Sequence, residues 1–358
     1  MPEGPELHLS SLFVNKSVKG LIFSGEIHKS DVSKNPTIQW DVPFYTITAE
    51  SRGKEMKLWL EEYSLLEGKQ VMHPQKMSIL FRFGMSGCFK LSSIDEIPKH
   101  SHLRFFTAKN SVDPMQVLSF VDFRRFGKWE VNVDWGSDRG PCPIRDYENF
   151  RNNIVNNLEN PAFKNKAICE VLLNQRYFNG IGNYLRAEIL FRLKIAPFDD
   201  AYNVLCDWKH AAMYPIKTEK GAAPSNQDPL YLCHAICSEV LKLSGGYDVE
   251  TGLKENGSFE KWLQCYQNPH MKSLTDRNKR TIWFDGEPGP LIPNNSNTRR
   301  PKTKRRIVEN VVEKSVTKVK ARKQNIVAES SELRPSSRPT RRSPRFVHVL
   351  EVKGEQTF

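Results

Sequence analysis

The sequence predicts an α+β protein of more than one domain, and three observations support this. A helical spacing of apolar residues opens the chain, short alternating runs of Phe, Val, Ile and Thr follow as far as residue 131, and helical spacing returns from residue 147. Strands in series followed by helices in series are typical of α+β proteins. A length of 358 residues with 39% hydrophobic residues allows more than one core and excludes a chain disordered throughout.

The first elements are a helix and then strands. A helix is expected over residues 3 to about 18, because Leu9, Leu12 and Phe13 fall at positions i, i+3 and i+4 of one face. The strand candidates are LIFSGEIH, FYTITAE, MKLWL, SILFRFGMSG, LRFFTA and QVLSFVDFRRFGKWEV. Short strands separated by turn residues predict a β-sandwich or barrel over residues 1–135.

The second half of the chain is predicted to be helical, with a terminal hairpin. The Gly- and Pro-rich stretch WGSDRGPCP marks a linker, placed at residues 136–146. Within residues 147–264, helical spacing occurs in ENFRNNIVNNL, KAICEVLLNQR, YLRAEILFRLKI and YLCHAICSEVLKL, and YFNGIGN forms a glycine turn between two of these helices. Residues 217–229 are expected to form a loop. Two aromatic-bearing runs around a polar tip predict a hairpin over residues 265–290.

The charge of the chain is concentrated at its C-terminal end. The formal net charge is +12, and residues 291–358 hold 17 Lys plus Arg against 6 Asp plus Glu. This stretch is poor in aromatic residues and is expected to be a disordered basic tail. Its RRPKTKRR segment could act as a nuclear import signal, a nonspecific DNA tether or a partner site, and the import role is favoured.

Compartment and cofactors are constrained mainly by what the sequence lacks. It has no run of about 18 apolar residues and no charged-then-apolar leader, so an intracellular protein without membrane spans is expected. The seven Cys lack paired spacing, which is typical of reduced thiols. No metal and no cofactor are expected: CHAIC has the wrong spacing for a zinc knuckle, and in the hairpin region only Cys265 and His270 lie close together.

Two motifs, taken alone, leave alternatives open at the start of the chain and at the glycine turn. Removal of Met1 would expose the secondary amine of Pro2, which could be part of a mobile tail or a nucleophile. In FNGIGN, Gly180 and Gly182 precede a helix whose first N–H groups lack internal partners, and Asn183 could cap that helix. The turn either binds a phosphate or only packs two helices together.

Three further stretches place a cationic or apolar side chain beside a glycine, at a turn or at the end of a strand. In FVDFRRFGKW, Arg124 and Phe126 could contact bases and phosphates, or they could be ordinary side chains at the end of a strand. Met85, in FGMSG, is either a core residue or an apolar wedge. Lys54 follows a glycine at a strand start, where a lone Lys is most often a solvated charge.

Four motifs occur along the sequence in this order: PEGPE, RFGMSG, FVDFRRFG and FNGIGNYLRAEIL. Through these motifs and their order, the sequence resembles the Fpg/Nei family of DNA glycosylases with abasic-site lyase activity. The resemblance covers roughly residues 1–290. The family's four-cysteine finger is missing, which is similar to the zincless finger of the first-type animal endonuclease VIII-like branch. The fold so implied is an N-terminal helix with a β-sandwich, then a helix-two-turn-helix domain, the zincless-finger hairpin and the basic tail.

The resemblance also implies a catalytic group at the N-terminus. Pro2, freed of Met1, would be the nucleophile that attacks the sugar of the damaged nucleotide and forms a Schiff base. An α-amino group, with a pKa of about 7.7 to 8.0, is unprotonated far more readily than a lysine. Glu3 would transfer protons, Glu6 would support the start of the chain, and Lys54 would contact a phosphate near the lesion.

The remaining residues implied by the resemblance contact DNA. Asn183 and Arg280 would bind backbone phosphates. Met85, Arg124 and Phe126 would fill the gap left by the extruded base. The lesion-reading loop would lie within residues 244–258, where no base-contacting residue can be assigned.

The function implied is that of a bifunctional glycosylase and abasic-site lyase in base excision repair. It would excise damaged pyrimidines and ring-opened purines and nick the strand by β,δ-elimination. The alternative is a non-catalytic DNA-binding or scaffold protein that kept the fold. Damaged DNA is the expected partner, with repair proteins as possible partners of the tail. We expect a monomer in the nucleus, with the mitochondrion as a second compartment.

Overall fold

Two antiparallel sheets and one helix form the N-terminal half of the chain. The computed structural model describes residues 2–63, 74–109, 114–213, 229–243 and 258–294. The elements of this half are α1 (Gly4–Ser17), β1 (Phe23–Ser24), β2 (His28–Lys29), β3 (Phe44–Arg52), β4 (Glu55–Glu62), β5 (Lys76–Arg82), β6 (Cys88–Ser93), β7 (Ser101–Phe106), β8 (Gln116–Val121) and β9 (Lys128–Val131). One sheet has the order β1-β3-β4-β5-β9 and the other β2-β7-β8-β6.

A shared apolar core joins the two sheets to α1. Leu9 and Phe13 of α1 are buried against the same cluster as Phe81 of β5 and Phe120 of β8. Alternation along the strands places these side chains on the inner faces. Leu12, which was predicted to share the buried helix face with Leu9 and Phe13, is instead 44% exposed, because it lies at the margin of the buried stripe.

The second half of the chain is helical and ends in a two-stranded hairpin. Its elements are α2 (Tyr147–Val155), α3 (Ile168–Val171), α4 (Asn183–Leu193), α5 (Ala201–Met213), α6 (Pro229–Lys242), α7 (Ser258–Trp262), β10 (Lys272–Thr275) and β11 (Thr281–Phe284). A second apolar core, distinct from the first, contains residues of these helices and Ile282 of the hairpin. The α+β fold class predicted from the sequence is confirmed.

Two helices differ from the sequence prediction. KAICEVLLNQR yields only the four-residue α3, because the amides of Leu173 and Asn174 bond to the carbonyls three residues back, those of Glu170 and Val171, and the i→i−4 pattern stops there. Helix α5 was not predicted, although Ala201, Val204 and Leu205 fall at i, i+3 and i+4 of one face. The short α3 leaves room for the turn that precedes α4.

The stretch predicted as a linker contacts both halves of the chain. The amide of Gly136 donates to the buried carboxylate of Glu55 at 3.0 Å, and Asn179 Nδ2 donates to the carbonyl of Gly140 at 2.8 Å. Cys142 is buried. These contacts connect the linker to the β3–β4 hairpin on one side and to the glycine turn on the other.

Several predictions fall on residues outside the described part of the chain. They concern most of the loop at 217–229, nearly all of the lesion-reading loop at 244–258, and the tail from residue 295. Within the described residues, no helix is both long and apolar enough to cross a membrane, and no three His, Cys, Asp or Glu side chains group in a way that could hold a metal ion.

Candidate active site

The start of the chain is tied into the fold. The amide of Gly4 donates to the carbonyl of Gly180 at 2.8 Å, and the amide of Glu3 donates to Glu6 Oε2 at 2.9 Å. Pro2 is half-buried beside them. Because both sides of Glu3 are held, the amine of Pro2 would lie at a fixed place next to two carboxylates. A mobile tail, the alternative left open by the sequence, does not describe residues 2–6.

Glu3 occupies the N-terminus of α4. Its carboxylate accepts the amide of Tyr184 at 2.9 Å and the amide of Leu185 at 3.3 Å, and the side chain is 1% exposed. These are two of the first helical N–H groups, which have no partner inside the helix and favour a negative charge. The anion bound by the FNGIGN turn is therefore a carboxylate of the same chain.

Gly182, the residue before α4, leaves the space that Glu3 fills. A Cβ at this position would lie 2.2 Å from Cδ of Glu3 and 2.4 Å from one of its oxygens. Gly53, in the turn between β3 and β4, is similarly constrained: its φ is +57°, and a Cβ would lie 1.9 Å from Oδ1 of Asn179. Glycine at both positions lets α4 and the β3–β4 turn approach the N-terminus closely.

Lys54 lies at the tip of the β3–β4 hairpin, next to Glu3. Arg52 pairs with Glu55, so Gly53 and Lys54 form a two-residue loop. Lys54 Nζ donates to the carbonyl of Ile181 at 2.6 Å. Burial lowers the pKa of Lys54 to about 8, against the opposing attraction of Glu3. The strand-start lysine is thus a nearly buried amine of the site and not a solvated surface charge.

Glu6, which is half-buried, forms a pair of carboxylates with buried Glu3. It accepts the amide of Glu3 and the hydroxyl of Tyr184, the latter at 2.9 Å from Oε1 and 3.2 Å from Oε2. Burial and the neighbouring Glu3 charge raise the pKa of Glu6 to about 7. Burial also raises the pKa of Glu3, although Lys54 and backbone amides oppose the shift. Glu6 can therefore exchange protons near neutral pH, and the protonated form of Glu3 is favoured relative to an ordinary glutamate.

Asn183 and Arg280 join the site from α4 and the hairpin. Asn183 Nδ2 donates to the carbonyl of Thr281 at 3.0 Å, so this side chain links α4 to β11. Arg280 is exposed at the hairpin tip, and its positive charge contributes to the lowered pKa of Lys54. The structure thus gathers six of the predicted residues around the start of α4: Pro2, Glu3, Glu6, Lys54, Asn183 and Arg280.

Buried polar residues of α4, which sequence reasoning missed, hold the hairpin. Arg186 pairs with Asp276 at 2.7 Å with both side chains fully buried, and Arg186 also donates to the carbonyl of Cys169 at 2.8 Å. The carboxylate of Glu188 accepts three consecutive amides, those of Gln264, Cys265 and Tyr266. The sequence did contain a signal for these buried charges: an Arg and a Glu lie inside the otherwise apolar run YLRAEIL.

The three gap-filling candidates form a second group, on the β5–β6 and β8–β9 loops. Met85 is 40% exposed and Phe126 is 55% exposed, and the Arg124 guanidinium lies 5.4 Å from the Phe126 ring centre. Buried Asp122 links the loops: it accepts the hydroxyl of Ser86 and the amides of Arg124 and Gly127. Of the alternatives left open by the sequence, Met85 as a core residue is wrong.

Comparison with known proteins places this architecture among the DNA glycosylases. Residues 1–129 match the formamidopyrimidine-DNA glycosylase N-terminal domain, and residues 255–293 match the DNA-binding domain of endonuclease VIII-like 1. The fold is similar to MutM (Fpg) of Thermus thermophilus, with a TM-score of 0.56 and 19% identity over 79% of this chain and 97% of that one. Lactococcus lactis Fpg, solved with DNA containing an abasic site, gives a TM-score of 0.55 at 19% identity over the same shares.

Two animal proteins narrow the assignment. Endonuclease 8-like 1 of Mus musculus is 49% identical over 308 residues, which are 85% of this chain and 77% of the mouse protein. The Homo sapiens protein of the same name is 47% identical over the same shares. The chain belongs to the endonuclease 8-like 1 family, within the Fpg/Nei glycosylases.

Family membership gives the activity. The chain is a DNA glycosylase with abasic-site lyase activity for oxidised bases in base excision repair. The resemblance read from the four motifs is confirmed, and the scaffold alternative is not supported.

Proposed function

We propose that the nucleophile of this enzyme is the secondary amine of Pro2, exposed by removal of Met1. The observation that carries the proposal is the position of Pro2 directly before buried Glu3, whose carboxylate and amide are both held by hydrogen bonds. Unprotonated Pro2 donates its lone pair to the sugar C1′, the base leaves with the electrons of the glycosidic bond, and the remaining proton of the Pro2 nitrogen passes to the departing base. The product is a cationic Schiff base after the sugar ring opens.

Glu3 and Glu6 supply the proton transfers of this scheme. Ring opening breaks the C1′–O4′ bond, and O4′ takes a proton from Glu3. The burial that raises the pKa of Glu3 favours the protonated form that such a donor needs. The Schiff base then acidifies the C2′ proton, whose loss expels the 3′ phosphate; a second elimination releases the 5′ phosphate.

Adduct mapping distinguishes Pro2 from its structural rival. Lys54 is a second amine of low pKa in the same site, so reductive trapping alone would not identify the nucleophile. The protein is incubated with a duplex carrying an abasic site, reduced with cyanoborohydride and digested for peptide mass spectrometry. We expect the adduct on a peptide that begins with Pro2 and lacks Met1. An adduct on Lys54, or on a peptide that retains Met1, refutes the proposal.

We further propose that Lys54, Asn183 and Arg280 bind phosphates beside the lesion. Lys54 and Arg280 bring positive charge to one edge of the site, and Asn183 connects that edge to the hairpin. Each phosphate contact contributes to the salt dependence of binding. Arg280→Ala should weaken binding and lower the slope of log K against log salt by about one. An unchanged slope and affinity would remove Arg280 from the contact set.

Met85, Arg124 and Phe126 are proposed to enter the duplex where the damaged nucleotide is extruded. Met85 and Phe126 are exposed apolar side chains, and the Arg124 guanidinium lies over the Phe126 ring, which suits the group to stacking against unpaired bases. We also propose that the enzyme acts on nuclear DNA, that it is a monomer, and that its basic tail directs nuclear import. Deletion of residues 295–358 should alter localisation but leave excision intact, and a catalytically dead truncation would contradict it.

A further inference from the structure

Among the described residues, Tyr184 bonds to the carboxylates of both Glu3 and Glu6. Its backbone amide donates to Oε1 of Glu3 at 2.9 Å, and its hydroxyl donates to both oxygens of Glu6. The ring is held edge-on against the aromatic side chains of Phe259, Trp262 and Tyr266. A rigid ring on the second residue of α4 therefore fixes the position of the hydroxyl relative to the Glu3 carboxylate.

We propose that Tyr184 is a positioning residue for the first step: its hydroxyl holds Glu6 ionised and against the backbone of Glu3, ready to take the proton that Pro2 must lose. This inference rests on Pro2 being the nucleophile. The step balances, since the Pro2 ammonium gives one proton to the Glu6 carboxylate and the freed lone pair then bonds to C1′. A hydrogen bond donated to a carboxylate stabilises its charged form.

The charges facing Glu6 make this hydrogen bond decisive. Glu3 repels the ionised Glu6 and burial disfavours it, whereas Tyr184, the Glu3 amide and the attraction of Lys54 favour it. Cys237 of α6 also faces the pair, and burial raises the pKa of its thiol well above the usual value, so it stays uncharged. With these terms nearly balanced around neutral pH, loss of one donor shifts Glu6 towards the protonated form.

Tyr184→Phe isolates the hydroxyl, because the ring and its three aromatic contacts remain. The assay is the single-turnover rate of base release from a duplex with an oxidised pyrimidine, measured from pH 5.5 to 9. We expect the acidic limb to move upwards by about one pH unit, the size expected for loss of one hydrogen bond to a charged group. The rate should fall about tenfold at the low-pH end and recover above the new limb, with the enzyme concentration for half-maximal rate unchanged.

Two variants test whether the shift comes through Glu6. Glu6→Gln should flatten the acidic limb, and adding Tyr184→Phe to it should have no further effect on the profile. Tyr202→Phe is the matched control, since Tyr202 also donates to a carboxylate, that of Glu159 at 2.8 Å, but on the exposed surface. It should leave the profile unchanged.

The outcomes separate this inference from the proposal on which it rests. A uniform rate loss at every pH, or an unshifted limb with the adduct on Pro2, overturns the role of Tyr184 alone. An adduct mapped to another residue overturns Pro2 and this inference together. A shifted limb that is absent in the Glu6→Gln background, with the adduct on Pro2, supports both.

Discussion

Gly182→Ala should inactivate the enzyme without removing any catalytic group. The φ of Gly182 is −130° and its ψ is −152°, an extended backbone that alanine adopts freely. The whole effect must therefore come from the added methyl group, which would lie 2.2 Å from Cδ of Glu3. Carbon atoms in contact are about 3.5 Å apart, so the carboxylate must move by about 1 Å.

The size of the effect follows from that displacement. A misplacement of about 1 Å can reduce a rate about 100-fold. Moving the carboxylate also weakens its bonds to the amides of Tyr184 and Leu185, and loss of a helix N-terminal acceptor typically costs about 1 kcal/mol of stability. We therefore expect a folded enzyme, destabilised by about 1 to 3 kcal/mol, with single-turnover base release slower by about two orders of magnitude.

Two comparisons make the Gly182 result interpretable. Gly25→Ala adds a methyl group in open space at a φ of +76°, so it should cost about 1 kcal/mol of stability and leave the rate unchanged. Glu3→Gln in the Gly182→Ala background should cause little further loss, because the carboxylate is already displaced. A Gly182→Ala rate within threefold of wild type would show that the position of Glu3 does not limit the reaction.

Three other predictions concern the hairpin, the carboxylate pair and the gap-filling loops. Asp276→Ala leaves buried Arg186 without its ion-pair partner and should lower the free energy of unfolding in urea by about 3 to 5 kcal/mol. The control Glu287→Ala removes an exposed ion pair with Lys272 of the same hairpin and should lower the free energy of unfolding by less than about 1 kcal/mol. The pKa of Glu6 is raised to about 7 in the folded protein, so the folded state loses stability as the pH rises from 4.5 to 7 and Glu6 must ionise. Glu6→Gln should therefore be more stable than wild type by about 1 to 2 kcal/mol at pH 7.5, and no more stable than wild type at pH 4.5. Asp122→Asn weakens the link between the two gap-filling loops and should slow excision from duplex DNA about tenfold more than from single-stranded DNA; equal losses on both substrates would contradict that role.

Local patterns in the sequence predicted much of the fold. Helix α1, the strands and the β10–β11 hairpin follow from side-chain period and turn residues, which act over a few positions. Period alone could not show where α3 ends, because the change to bonds three residues back at Leu173 and Asn174 leaves the apolar spacing unaltered. Helix α5 was within reach of the same reasoning, because Ala201, Val204 and Leu205 have helical spacing.

The site was less accessible to sequence reasoning than the fold, because its contacts join distant parts of the chain. The Arg186–Asp276 pair spans 90 residues, and the bond from Tyr184 to Glu6 spans 178. No periodic pattern encodes such a pairing. The glycine turn illustrates the limit: the sequence indicated helix N–H groups suited to an anion, but only the fold shows that Glu3 is that anion.

Helix α4 explains how these distant parts form one site. Its first amides bind Glu3, the side chain of Tyr184 bonds to Glu6, and Arg186 and Glu188 hold the hairpin that carries Arg280. Charged residues so deeply buried are retained at a cost in desolvation, which a role in fixing geometry would justify. The Arg186–Asp276 ion pair and the three amides on Glu188 set the position of the hairpin relative to α4. The same helix therefore fixes the two carboxylates beside Pro2, the proposed nucleophile, and the proposed phosphate-binding Arg280. A shift of α4 would disturb both the chemistry and the DNA contact.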